Sequence, residues 1–124
     1  MMRFLWFGLI FLSGTTFLQA QSPLPLDRLT DLSGRPIASL SAEAPLKAFF
    51  FLSPECPLCE NYAVVLKQLR EEFPDQRVAF YGVFAGKFYS SKEIRTYLAR
   101  FQVPVRALLD PDKALVRYFG ATVT

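Results

Sequence analysis

The chain contains no histidine, and that absence closes several chemical routes at once. A Ser-His or Cys-His catalytic pair, a zinc site of two cysteines and two histidines, and a haem held by histidine are all excluded. Charge of one sign is scarce too: 14 Lys and Arg against 11 Asp and Glu leave a net +3, and the cations stand singly rather than in a patch. Nucleic acid, which selects a basic stripe, is therefore not an expected partner. There is no internal repeat or low-complexity tract, and 124 residues hold one domain at most. At 52% apolar the chain can bury a real core, which rules out the disordered classes.

Cysteine is nearly absent as well, and its two copies, Cys56 and Cys59, lie two residues apart. The apolar run Phe49-Phe50-Phe51-Leu52 reads as a buried strand, and Ser53-Pro54-Glu55 breaks it. The C-x-x-C then opens a segment of helical period. A helix start offers unpaired N–H groups and the positive end of the macrodipole, both of which favour a thiolate. Pro57 suits the first helical position, where a missing N–H costs nothing.

Three readings of this dithiol compete. A purely structural disulfide would close a loop of a few residues and remove little entropy, at the low end of about 2–4 kcal/mol. Zinc would need two further ligands, which only carboxylates such as Glu55 and Glu60 or a second chain could supply, so no metal is expected. Redox cycling explains the strand, loop, dithiol and helix together and needs no cofactor. Cys56 is then the attacking thiolate and Cys59 the resolving thiol. Glu55 and Glu60 oppose ionisation and no Lys or Arg lies in the motif, so a moderate Cys56 pKa and a reducing couple are expected.

The first twenty residues form a separate segment. Arg3 precedes the apolar run Phe4 to Leu12, polar Ser13, Thr15 and Thr16 follow, and Ala20 is a plausible last residue before cleavage. This pattern is that of a secretory signal at residues 1–20, with the domain at 21–124. The run is shorter than the roughly 20 residues of a spanning helix, so no stable membrane span is expected after cleavage. Without cleavage it would act as a membrane anchor. Either way the domain is exported to a periplasmic or other extracytoplasmic compartment where disulfides persist.

Residues 23–30 read as a connecting arm across the domain surface. Leu29 to Leu32 and Pro36 to Leu40 flank Ser33-Gly34-Arg35, a hairpin signal. Lys47 to Leu52 reads as the central strand, apolar on both faces. Leu58, Tyr62, Val65, Leu66, Leu69 and Phe73 recur as one face of a helix, with Lys67 and Glu71 paired on the other. Arg77 to Phe84 forms a second strand, parallel to the first because a helix crosses between them. Ser90 and Glu93 make a capping box for a helix through Ile94, Tyr97, Leu98 and Phe101. Val105 to Leu109 is a third strand, and Asp110 or Asp112 caps a short helix from Lys113 to Phe119. The five core phenylalanines are Phe49, Phe50, Phe51, Phe80 and Phe84, while Tyr62, Tyr81, Tyr89 and Tyr97 read as amphipathic packing.

With these elements in place the chain resembles the thioredoxin-like redoxin family, the group that holds alkyl hydroperoxide reductase/thiol-specific antioxidant proteins and exported thiol-disulfide interchange proteins. Three stretches over residues 26–124 carry the resemblance: the hairpin Leu29 to Leu40, the segment Phe51 to Cys59, and Leu109-Asp110-Pro111-Asp112 leading to Tyr118-Phe119-Gly120-Ala121-Thr122-Val123-Thr124. It implies a three-layer α/β thioredoxin-like fold with an N-terminal β-hairpin, its C-terminal part missing. It also implies Cys56 and Cys59 as the redox pair, with Pro57 and Thr124 on the substrate-contacting surface, Thr124 standing just before the family's cis-proline. The implied partners are protein thiols and disulfides and an upstream electron donor. The family's peroxidase branch wants a proline where Phe49 stands, although Ser53 satisfies its hydroxyl position; a thiol peroxidase and a non-catalytic binding module are the alternatives. The thioredoxin pattern places a buried Asp at Phe50, which leaves the proton at Cys59 without an assigned handler.

Overall fold

A computed structural model describes residues 22–122. The secretory signal expected at residues 1–20, and Thr124, lie outside the described residues. Three parallel strands form the sheet: β1 (Leu46–Phe51), β2 (Val78–Ala85) and β3 (Arg106–Asp110), in the order β1-β2-β3. Leu46 lies opposite Val78 and Phe51 opposite Val83, while Tyr81 lies opposite Arg106 and Ala85 opposite Asp110. Helix α1 (Pro57–Glu72) crosses from β1 to β2, α2 (Ser91–Phe101) crosses from β2 to β3, and α3 (Ala114–Phe119) follows β3.

Because sheet order follows chain order, crossovers of one hand place α1 and α2 on the same face. Ala63 and Leu66 of α1 and Ile94 and Tyr97 of α2 pack there with Phe84, Phe50, Leu52 and Leu109. The opposite face carries Tyr81, Val83, Leu108, Phe49 and Phe51, covered by Leu115 of α3 and by Leu29 and Ala44 from the N-terminal segment. The period-2 alternation of each strand feeds the two clusters, giving three layers.

Several expectations change in detail. β1 pairs only with β2 among the described residues, so β2 is the middle strand and not β1. Coverage of both faces, which the phenylalanines announced, says nothing about lateral neighbours. The N-terminal hairpin closes through a single bridge, Thr30 to Pro36, with Gly34 at φ +79° in its turn. Pro36 has no N–H with which to extend a ladder. Thr30 instead exchanges two backbone bonds with Leu109, at 3.1 and 2.8 Å, and docks the hairpin antiparallel against β3. The arm expected on the surface forms a 3-10 turn at Leu26–Arg28 and sends Leu29 fully into the core.

Helix α1 turns inward only part of the face its apolar residues suggested, Leu66 with half-buried Leu69, and adds Ala63 to it. Ala63 and Leu66 are buried, while Leu58, Tyr62, Val65 and Phe73 are exposed. Its cation with partners is Arg70 and not Lys67, whose pairing with Glu71 is not among the ion pairs of the described residues. The Arg70 guanidinium lies 3.8 Å from the centre of the Phe80 ring, donates to Val78 O at 2.9 Å and meets Asp75 at 2.7 Å. The capping box of α2 is present: Glu93 N–H donates to Ser90 Oγ at 3.2 Å and Ser90 N–H to Glu93 Oε2 at 2.7 Å. At α3 the cap is Asp110, fully buried, which accepts from the N–H groups of Ala114, Leu115 and Val116 at 2.6, 2.9 and 3.3 Å.

Candidate active site

The sheet delivers the dithiol to its C-terminal edge. Leu52 N–H still donates to Val83 O at 3.0 Å, and the chain then leaves the sheet. Ser53 O accepts from Cys56 N–H at 3.2 Å, so Ser53 to Cys56 form one tight turn. Cys56 is the N-cap of α1 in extended conformation, Pro57 takes the first helical position and is exposed, and Cys56 O accepts from Cys59 N–H at 3.0 Å. Both cysteines are half-buried free thiols.

The two thiols are inequivalent. A hydrogen bond from the Cys59 thiol, then the Cys59 and Leu58 N–H groups, hold Cys56 below the ordinary thiol value; the Glu60 charge opposes them. Burial pushes Cys59 above that value, Cys56 adds to the effect, and the Ser53 N–H works against it. One sulfur is thus prepared as a thiolate and the other kept as a thiol that donates to it. The opposition by Glu60 read from the sequence is present and is outweighed.

Two side chains around the pair, Tyr89 and Tyr97, were assigned to packing by the sequence. Tyr89 OH lies 2.9 Å from Ser53 Oγ and donates to Glu55 Oε2 at 3.5 Å, tying the loop before Cys56 to the segment before α2. That bond occupies the Ser53 hydroxyl. Tyr97 is 4% exposed, and its OH donates to Cys59 O at 3.3 Å. The usable signal for Tyr97 is its position between Ile94 and Phe101 on the apolar stripe of α2, since a buried phenol needs a polar partner. Pro54, Glu55, Glu60, Tyr89, Tyr97 and Arg100 line a shallow groove beside the dithiol. Among the described residues no three Cys, Asp or Glu side chains converge as a metal would require. No described helix is long and apolar enough to cross a membrane.

A parallel sheet with helices on both faces and a dithiol opening the helix after the first strand define a thioredoxin-like fold. Solved structures bear this out. The chain is similar to Mycobacterium tuberculosis DsbF over 82% of its length and 75% of that chain, with TM-score 0.62 and 23% identity. It is also similar to a secreted Mycobacterium tuberculosis disulfide oxidoreductase homologous to E. coli DsbE, over 76% of this chain and 68% of that one, with TM-score 0.57 and 23% identity. At that identity the likeness is one of fold. No family model matches the chain, and no curated protein matches it.

Proposed function

We propose that this protein is an exported thiol-disulfide oxidoreductase of the redoxin kind, exchanging disulfides with protein substrates through Cys56-Pro57-Leu58-Cys59. The observation that carries the reading is the placement of the dithiol, Cys56 at the N-cap and Cys59 within the first turn of α1, which lowers the pKa of one thiol and raises that of the other. The Cys56 thiolate attacks a substrate disulfide and forms a mixed disulfide. Cys59, once deprotonated, attacks the Cys56 sulfur; the Cys56–substrate bond breaks and its electron pair leaves with the substrate sulfur, which takes a proton from water. The substrate disulfide is reduced and the protein dithiol oxidised, and an external thiol donor restores it. Pro57, exposed beside the attacking sulfur, lies where substrate backbone would pass. Export is supported by the N-terminal pattern of residues 1–20 and by the secreted character of one structural neighbour.

The test is reduction of insulin disulfides with dithiothreitol as donor. Turnover is expected for the parent and lost in Cys56→Ser, while Cys59→Ser should accumulate a mixed disulfide. Peroxide consumption without insulin turnover would transfer the assignment to a thiol peroxidase. Inactivity in both assays would leave a binding module.

A further inference from the structure

We propose that the Tyr97 hydroxyl is the positioning group of the resolving thiol: it fixes Cys59 from the side of α2 and favours its thiolate for the second step of exchange. This inference rests on the oxidoreductase reading and names a residue on which that reading is silent.

The geometry is specific. Cys59 packs in the same cluster as Phe50, Leu52 and Phe84, so the sheet presents no polar side chain to it. The polar groups that reach Cys59 are the Cys56 thiol, the Ser53 N–H and the Tyr97 hydroxyl. Tyr97 is held with little freedom: its ring stands edge-on to Phe84 at 6.3 Å and tilted against Phe101 at 5.5 Å, with 4% of its surface exposed. Its O–H donates to Cys59 O, a carbonyl within α1 that the helix itself already uses. The bond therefore satisfies the phenol and joins α2 to the residue bearing the resolving sulfur. The positive end of the O–H dipole points at the Cys59 carbonyl oxygen, offsets that oxygen's own partial negative charge, and so lowers the cost of negative charge on the same residue's sulfur.

The remaining charged and titratable groups around Cys59 do not replace it. On α1 they are Cys56 and Glu60; in the preceding loop, Glu55; on and before α2, Tyr89, Glu93 and Arg100. Glu93 is engaged by Ser90, Arg100 lies over the Phe101 ring at 5.2 Å, and Tyr89 faces Ser53 and Glu55. Tyr97 stays a donor throughout the range in which thiols titrate. Burial first, then the charges of Cys59, Cys56 and Glu60, push it up to about 12. It accordingly removes no proton from Cys59, whose proton goes to water, and acts by position and dipole alone.

Two changes at one atom test this. Tyr97→Phe removes the donor and keeps the ring; 3-fluorotyrosine at position 97 makes a stronger donor of nearly the same shape. In a Cys56→Ser background only Cys59 reacts with iodoacetamide, and the pH dependence of its alkylation reads its acidity whether or not insulin is a substrate. For a hydrogen bond of ordinary net strength, Tyr97→Phe should move that profile alkaline by about 0.5–1 pH unit, roughly three- to tenfold less thiolate at a given pH. The fluorinated residue should move it the other way. With Cys56 present, the mixed disulfide formed from Ellman's reagent should persist roughly three- to tenfold longer in Tyr97→Phe, while the first thiolate release keeps its rate. Coincident profiles for the three forms would overturn the proposal and leave Tyr97 a packing residue, whatever happens to the unfolding midpoint. Shifted profiles without insulin turnover would instead uphold Tyr97 and fail the oxidoreductase reading.

Discussion

Replacing Asp110 by alanine should cost this domain a substantial share of its stability, and the structure sets the scale. The carboxylate is fully buried, and its two oxygens accept from Ala114, Leu115 and Val116 at 2.6, 2.9 and 3.3 Å. Lys113 precedes α3 at φ +56°, with no side-chain bond to the helix, so Asp110 does the work of a cap from three residues further back. Without it three N–H groups lose their acceptor, each worth about 1–3 kcal/mol when buried; the Val116 group is only partly buried and can find water. A loss of about 3–4 kcal/mol follows, larger than for an ordinary exposed cap at about 0.5–2 kcal/mol. Against a typical total of about 5–15 kcal/mol this is severe but survivable. Asp110→Asn keeps the volume and one acceptor oxygen and should lose about half as much. Equilibrium urea unfolding of the reduced proteins measures both. An Asp110→Ala loss below about 1 kcal/mol, or an Asp110→Asn variant equal to the parent, would refute the three-acceptor account. The effect reaches the site through α3, whose Phe119 ring lies tilted 5.1 Å from Phe49 and edge-on 6.4 Å from Phe51 on the strand that leads to the dithiol.

Two further outcomes follow from other parts of the molecule. In the reduced protein Cys56 should alkylate with a half-point below the ordinary thiol value and Cys59 above it, and Glu60→Gln should lower the Cys56 half-point further, because it removes a charge that opposes the thiolate; iodoacetamide rates followed from acid to alkaline pH decide this, and an unmoved or raised half-point would contradict it. Gly82→Ala puts a methyl group 2.7 Å from Val105 Cγ2 and 3.2 Å from Leu52 Cδ1, an overpacking expected to cost about 1–3 kcal/mol and to lower the thermal midpoint, so a variant that melts with the parent would show the sheet yielding there.

The sequence was most informative where one chemical requirement acts alone. The dithiol, the turn before it and the proline after it are local, and the structure places Cys56 and Cys59 at the start of α1. The capping box at Ser90 and Glu93 is local in the same way. Helix α1 was harder because apolar residues run around much of its circumference. Of the expected stripe, Leu58, Tyr62 and Val65 face outward while Leu66 joins Ala63 and the stem of Arg70 inward, a choice made by packing against Phe80 and Phe84. Tyr97 was legible as a core residue and illegible as a partner of Cys59, since the contact crosses between two helices and joins residues 38 apart in the chain. Lateral strand order was hidden for the same reason: a pairing such as Phe51 with Val83 leaves no mark on either residue's neighbours in the chain.

The sheet order has a consequence for how the molecule assembles. Because β1, β2 and β3 lie side by side in the order they occur in the chain, each pairing closes around one helix, and no strand waits for a partner made much later. The polypeptide can therefore condense progressively from β1 onwards, unit by unit. The arm before β1 is the exception: Thr30 finds its partner in Leu109, so it is fixed only once β3 exists. In kinetic terms the arm closes a loop that runs through β1, β2 and both crossover helices into β3, the slowest kind of contact to form. Leu29 then seals the side of the sheet opposite the dithiol helix, making one buried leucine the latch of an otherwise sequential fold.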